Sequence, residues 1–102
     1  MKIITVPKDV KVKVGEEEKV FPFKESLIFH LDNYAEIKSV SQLRDAQKVI
    51  DAIEAGNGTI SLEDEQFKLL KAACDKMCYR PVIARQLISY YDALEKAEEV
   101  KK

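Results

Sequence analysis

The hydrophobic period of this chain changes once, at Phe23, and that change limits the fold more than any other feature of the sequence. Up to Phe23 the pattern repeats every second residue, the period of a strand. Beyond it, apolar residues recur every third and fourth position, the period of a helix. Val10, Val12 and Val14 alternate with Lys11 and Lys13, which puts valines on one strand face and lysines on the other. Gly15 breaks the run, and Lys19-Val20-Phe21-Pro22-Phe23 resumes it, so the pair reads as a β-hairpin turning at Gly15 and Glu16. Pro22 has no N–H to donate, which places the second strand on an edge or ends it there. Ile3 to Val6, closed by Pro7, supplies a further short strand.

Four helical segments follow. Leu27, Ile28, Leu31 and Tyr34 share one face of the first, which starts near Lys24 or Glu25 and stops near Asn33. Ser39 or Ser41 caps the second, Ser39 having Gln42 three positions on in a capping-box pattern, and the apolar stripe of that helix is Leu43, Ala46, Val49, Ile50 and Ile53. Gly56 stands where a left-handed cap would close that helix. Gly56-Asn57-Gly58 is a turn, Thr59-Ile60-Ser61 an extended link, and Ser61 a cap for the third helix. The acids Glu63, Asp64 and Glu65 then complement the helix dipole. Phe67, Leu70, Cys74 and Met77 mark its buried face, with Leu69 and Ala73 alongside. Pro81 suits the first position of a fourth helix, with Ile83, Leu87, Tyr90, Tyr91 and Leu94 facing inward. The charged tail Glu98 to Lys102 is expected to fray.

The expected class is therefore α+β: an N-terminal β-hairpin or small antiparallel sheet packed against three to four α-helices. No linker divides the 102 residues, so residues 1–102 read as one domain, with strands over 1–23, helices over 24–98 and a loose end at 99–102. A chain of this size and 46% hydrophobic content sustains one core without disulfides or metal. Cys74 and Cys78 lie four apart within a helical stretch, where a disulfide is geometrically awkward, so two reduced thiols and a reducing compartment are expected. The first ten residues lack the apolar core of a signal peptide, and no apolar run approaches a membrane span, so the expected location is cytoplasmic.

Seventeen basic and eighteen acidic residues nearly cancel, leaving no overall field to draw the protein to nucleic acid or anionic lipid. The lysines of the hairpin with Phe21 and Phe23 have the composition of a sheet surface that binds single strands. They equally have the composition of an ordinary solvent face, and exposed lysines discourage edge pairing. A nucleic-acid accessory role is the alternative carried forward, with nucleic acid disfavoured by the charge balance.

Residues able to make or break bonds are few and scattered. His30 is the single histidine, and a role as base requires a nucleophile or carboxylate converging on it from elsewhere in the fold. Cys74 and Cys78 supply half a zinc site, and the chain has no second close pair of the usual ligands. Gly56-Asn57-Gly58-Thr59 follows a helix rather than preceding one and lacks the lysine of a phosphate loop. These readings predict no enzyme activity, no cofactor, no metal and no small-molecule substrate.

The last third is different. Val82, Ile83, Leu87, Ile88, Tyr90 and Tyr91 offer more apolar surface than one helix face in a small domain buries. Val82, Arg85 and Tyr90 are residue types that anchor protein interfaces. Tyr90 and Tyr91 equally suit the edge of a core, with their hydroxyls in water. Val82, Arg85, Tyr90, Phe21 and Phe23 are the candidate contact residues, for a protein partner or for self-association.

The order of parts also resembles a known group. A strand pair ending Phe21-Pro22-Phe23 leads to a capped helix ending Ile50-Asp51-Ala52-Ile53-Glu54-Ala55-Gly56, then Leu62 to Leu70, then Pro81 to Ala93. This is similar to small phage and prophage proteins of unknown function encoded among virion assembly genes. The resemblance implies a non-enzymatic role in phage assembly or in handling a host protein, with a place in the host cytoplasm or the virion. It transfers no functional residue.

Overall fold

Alternating valines and a glycine able to take a left-handed backbone produce the hairpin expected of them. In the computed structural model, which describes residues 1–76 and 79–99, β2 (Val10–Val14) pairs antiparallel with β3 (Glu17–Phe21). Gly15 sits at φ +65°, the region that costs other residues a steric clash. Val12 is fully buried while Lys11 and Lys13 face solvent, so the valine side is the core side. Preceding the hairpin, β1 (Lys2–Thr5) is a separate strand.

The helices begin at Phe23. Pro22 caps α1 (Phe23–Asp32), which Asn33 ends, and Phe23, Leu27 and Leu31 turn its apolar face inward. The capping box of α2 (Val40–Ala55) is present: Gln42 N–H donates to Ser39 Oγ at 3.1 Å, and Ser39 N–H donates to Gln42 Oε1 at 3.1 Å. Its inward stripe is Ala46, Val49 and Ile53. Leu43, expected in that stripe, is instead 60% exposed, because it lies roughly a quarter turn around the helix from Ala46, Val49 and Ile53.

Strand content is not confined to the N-terminus. Thr59-Ile60-Ser61, expected as an extended link, belongs with Leu62 to β4 (Thr59–Leu62), which pairs antiparallel with β1 so that Ile4 opposes Ile60. Ser61 therefore lies in a strand, and Glu63 caps α3 (Asp64–Asp75), its N–H accepted by Gln66 Oε1 at 3.0 Å. The expected left-handed cap at Gly56 is also corrected. Its φ is −67°, and a side chain is excluded there because a Cβ would meet the Thr59 carbonyl oxygen at 2.5 Å. Gly58, at φ +78°, makes the left-handed turn into β4.

The fourth helix is divided into α4 (Pro81–Ala84), with proline at its first position, a 3₁₀ turn Arg85–Leu87, and α5 (Ile88–Glu95). Glu98 and Glu99, expected to fray, form β5 (Glu98–Glu99) against the free side of β1. Backbone pairing and the Lys2–Glu99 ion pair at 3.0 Å hold this short charged strand. The result is an α+β fold with two antiparallel sheets, β4-β1-β5 and β2-β3. One buried cluster joins them to the helices through Ile4, Val12, Leu27, Ile53, Leu70 and Leu87. Met77, expected on the buried face of α3, lies outside the described residues.

Candidate functional site

Proline at the start and a 3₁₀ turn in the middle decide which residues the C-terminal layer shows to solvent. In a 3₁₀ turn residues three apart eclipse one another, so the turn Arg85–Leu87 keeps Ile88 close to the line of Arg85, one turn beyond Val82 of the preceding α-helical turn. Ala84, Leu87, Tyr90 and Leu94 point into the core. Val82 at 41% and Ile88 at 54% exposure, with exposed Arg85 between them, form the outward stripe. Scattered single apolar residues on a surface need no explanation, whereas an aligned set flanking an arginine has the make-up of a contact surface.

A glutamine braces this stripe. Gln86 Oε1 accepts from Lys13 N–H at 2.9 Å, and Gln86 Nε2 donates to Lys13 O at 2.9 Å and to Val82 O at 2.7 Å. The amide thus stands in for a neighbouring strand along the outer edge of β2. It ties the hairpin to α4 and brings Val14, an exposed residue next to Lys13, beside the same layer.

Two of the residues expected at an interface are core residues. Tyr90 is 3% exposed; its hydroxyl accepts from Val10 N–H at 2.8 Å and donates to Phe21 O. The ring packs edge-on against Phe23 with centroids 5.0 Å apart, and Phe23 is fully buried. Both are corrected from contact surface to core, because the end of the hairpin needs a polar group to complete its ladder and an apolar one beneath it. Phe21 is half-buried and packs edge-on against Tyr79 at 5.6 Å. Of the five candidates, Val82 and Arg85 stand on the free face, and Ile88 joins them. Ile88 was among the apolar residues of this segment, but only the 3₁₀ turn shows that it faces out.

Lys11 and Lys13 do not share a face with Phe21, although Lys19, which opposes Val12, does. In the β2–β3 register Lys11 opposes Val20 and Lys13 opposes Glu18 on the outer face, while Phe21 opposes Val10 on the inner one. The outer face pairs a lysine with an acid and carries no aromatic ring, so the arrangement for stacking bases is not assembled there.

His30 is 3% exposed, and both ring nitrogens are engaged. Ser26 O lies 2.6 Å from Nδ1; a carbonyl only accepts, so Nδ1 carries the proton and Nε2 receives the Tyr91 hydroxyl at 3.0 Å. Burial holds the imidazole below its usual range, partly offset by the Ser26 carbonyl. Tyr79 and Tyr91 meet the ring edge-on, and Phe29 stacks on Tyr79 at 4.8 Å. A hollow of about 320 Å³ beside His30 is lined by Asn33, Tyr34, Glu36 and Lys76. This is the geometry of a histidine that joins α1 to α5. Cys74 is buried on α3, and Cys78 lies outside the described residues.

A wider groove of about 700 Å³ runs between α2 and α3, lined by Gln42, Asp45, Lys48, Glu63, Gln66 and Leu69. Its charges are mixed. Among the described residues no three His, Cys, Asp or Glu side chains are grouped to hold a metal ion, and no helix is long and apolar enough to cross a membrane. Comparison of the chain with protein-family models, curated proteins and solved structures finds no match.

Proposed function

We propose that this chain is a non-enzymatic protein-interaction module that captures a partner protein on the Val82–Arg85–Ile88 stripe. The carrying observation is the alignment of those three exposed side chains on a layer fixed to the hairpin by Gln86. Exposed valine and isoleucine supply desolvation energy, arginine supplies directional hydrogen bonds, and a braced backbone reduces the entropy lost on docking. The inward engagement of the single histidine supports the same reading, since its ring nitrogens serve the core rather than a substrate. The resemblance to phage and prophage proteins suggests virion assembly or the handling of a host protein as the setting.

Affinity capture from the native host with the wild-type chain, Arg85→Ala and Ile88→Asp tests this. The wild type retains a defined partner, which purified components reproduce, and both variants lose it while keeping the circular dichroism of the folded protein. A partner retained equally by both folded variants overturns the assignment of the stripe.

A further inference from the structure

The two most exposed large apolar side chains among the described residues are neither on the C-terminal layer nor on the hairpin. They are Val40, at 67%, and Leu43, at 60%, on the first turns of α2. With Gln47, half-buried Ile50 and Glu54 they recur at spacings of three and four residues, the a and d positions of a heptad repeat. This second stripe lies roughly a quarter turn around the helix from Ala46, Val49 and Ile53, which α2 gives to its own core. The helix therefore carries one apolar face for the domain and a lateral one that the described residues cover only in part, at Ile50.

The pattern of the lateral face is self-complementary about its centre. Placed antiparallel to a copy of itself with the two-fold axis near Gln47, α2 brings Leu43 to within one residue's rise, about 1.5 Å along the axis, of the other copy's Ile50, twice. The stem of Val40 then lies along Glu54. On the flank of the seam away from the domain core stand exposed Arg44 and exposed Asp51, seven residues apart and of opposite sign. The same two-fold operation brings each Arg44 to within one residue's rise, about 1.5 Å along the axis, of the level of the other copy's Asp51. Arg44 has no ion pair among the described residues, while Asp51 Oδ1 accepts from Gln47 Nε2 at 2.9 Å and keeps its second oxygen for another donor. A parallel arrangement would put the Arg44–Asp51 flanks of the two copies on opposite sides of the seam, where neither Arg44 reaches an Asp51 of the other copy.

We infer that α2 is the seam of a symmetric homodimer, formed by antiparallel pairing of Val40, Leu43, Gln47 and Ile50 with their copies and oriented by two Arg44–Asp51 ion pairs. The interface is isologous, as two-fold dimers require, and Gln47 at the axis fixes register as a lone polar residue does in a coiled coil. The pairing runs along α2, whose sixteen residues span about 24 Å. It is independent of the Val82–Arg85–Ile88 stripe, which remains free in the dimer to bind a partner.

Sedimentation velocity of the full chain, from micromolar to millimolar concentration, tests it. The wild type sediments as a dimer at the upper end. Leu43→Glu and Val40→Glu, both folded by circular dichroism, raise the dissociation constant at least about a hundredfold, because each substitution strikes the seam twice. Arg44→Asp weakens the dimer, and adding Asp51→Arg to it restores association. Ile88→Asp leaves the dissociation constant unchanged. A wild type that stays monomeric overturns the inference, as does a dimer that survives Leu43→Glu or dissociates with Ile88→Asp. A charge swap that fails to rescue Arg44→Asp overturns the antiparallel pairing.

Discussion

Gln86 grips Lys13 by both of its backbone groups, with the side-chain amide donating to the carbonyl and accepting from the N–H at 2.9 Å each. A primary amide presents the same donor and acceptor pair as a peptide unit, so one side chain satisfies the outer edge of β2 where a further strand would otherwise sit. The lone hairpin, marginal by itself, is thereby made part of the C-terminal layer.

Gln86→Ala removes both bonds to Lys13 and one to Val82. The expected loss is about 1–2 kcal/mol of unfolding free energy, modest because the site is solvent-accessible. Urea denaturation measures it. Hydrogen exchange at β2 and β3 amides should accelerate more than exchange in α2, which the substitution does not touch.

Tyr90→Phe retains the ring against Phe23 and deletes only the hydroxyl between Val10 N–H and Phe21 O. It should cost about 1–3 kcal/mol, the penalty for stranding half-buried backbone groups. Tyr90→Ala, which also empties a core position, should cost about 3–5 kcal/mol. Equal and negligible losses in the two variants would contradict the core placement of Tyr90.

His30 makes stability fall in mild acid. Burial lowers its pKa in the folded protein, so the unfolded chain, with a value near 6.5, binds the proton first as pH drops. The contribution of neutral His30 is complete above that value and is lost as pH falls from about 6.5 toward the lower folded pKa. Urea midpoints at pH 7.5 and pH 5 should therefore differ more for the wild type than for His30→Gln, the two pH values lying on either side of the unfolded imidazole's value of about 6.5.

Gly56→Ala and Gly58→Ala separate two reasons for a glycine. At Gly56 the backbone dihedral is ordinary, but a Cβ would press on Thr59 O and the Ile60 side chain, so the turn into β4 must shift at a cost of about 1–3 kcal/mol. At Gly58 the surroundings are open and the cost is the left-handed conformation alone, roughly 1–2 kcal/mol. Gly58→Asn, which tolerates that region, should recover most of the loss, while Gly56→Asn should not. Thermal or urea unfolding of the four variants distinguishes the cases.

Much of the local structure is legible because its causes are local. The Gly15 turn, the Ser39–Gln42 box, the stop at Asn33 and the proline that opens α4 each depend on residues within a few positions of one another. The candidate surface was legible only in part. Val82 and Arg85 face out as a contact surface requires, while Tyr90 and Phe23 carry the same interface-rich chemistry and are used in the core. Aromatic side chains, with a polar tip as in Tyr90 or without one as in Phe23, serve both places, and only their neighbours separate the two uses.

What the chain determines by itself is periodicity, capping and turn chemistry, since steric limits and short-range hydrogen bonds act without the rest of the fold. Tertiary structure decided the rest. Thr59–Leu62 and Glu98–Glu99 are strands because β1 has two open edges, and four residues or two carry too little pattern to declare a strand unaided. Leu43 is outside and Tyr90 inside for the same reason: burial is a property of what packs against a residue, and those partners lie far away along the chain.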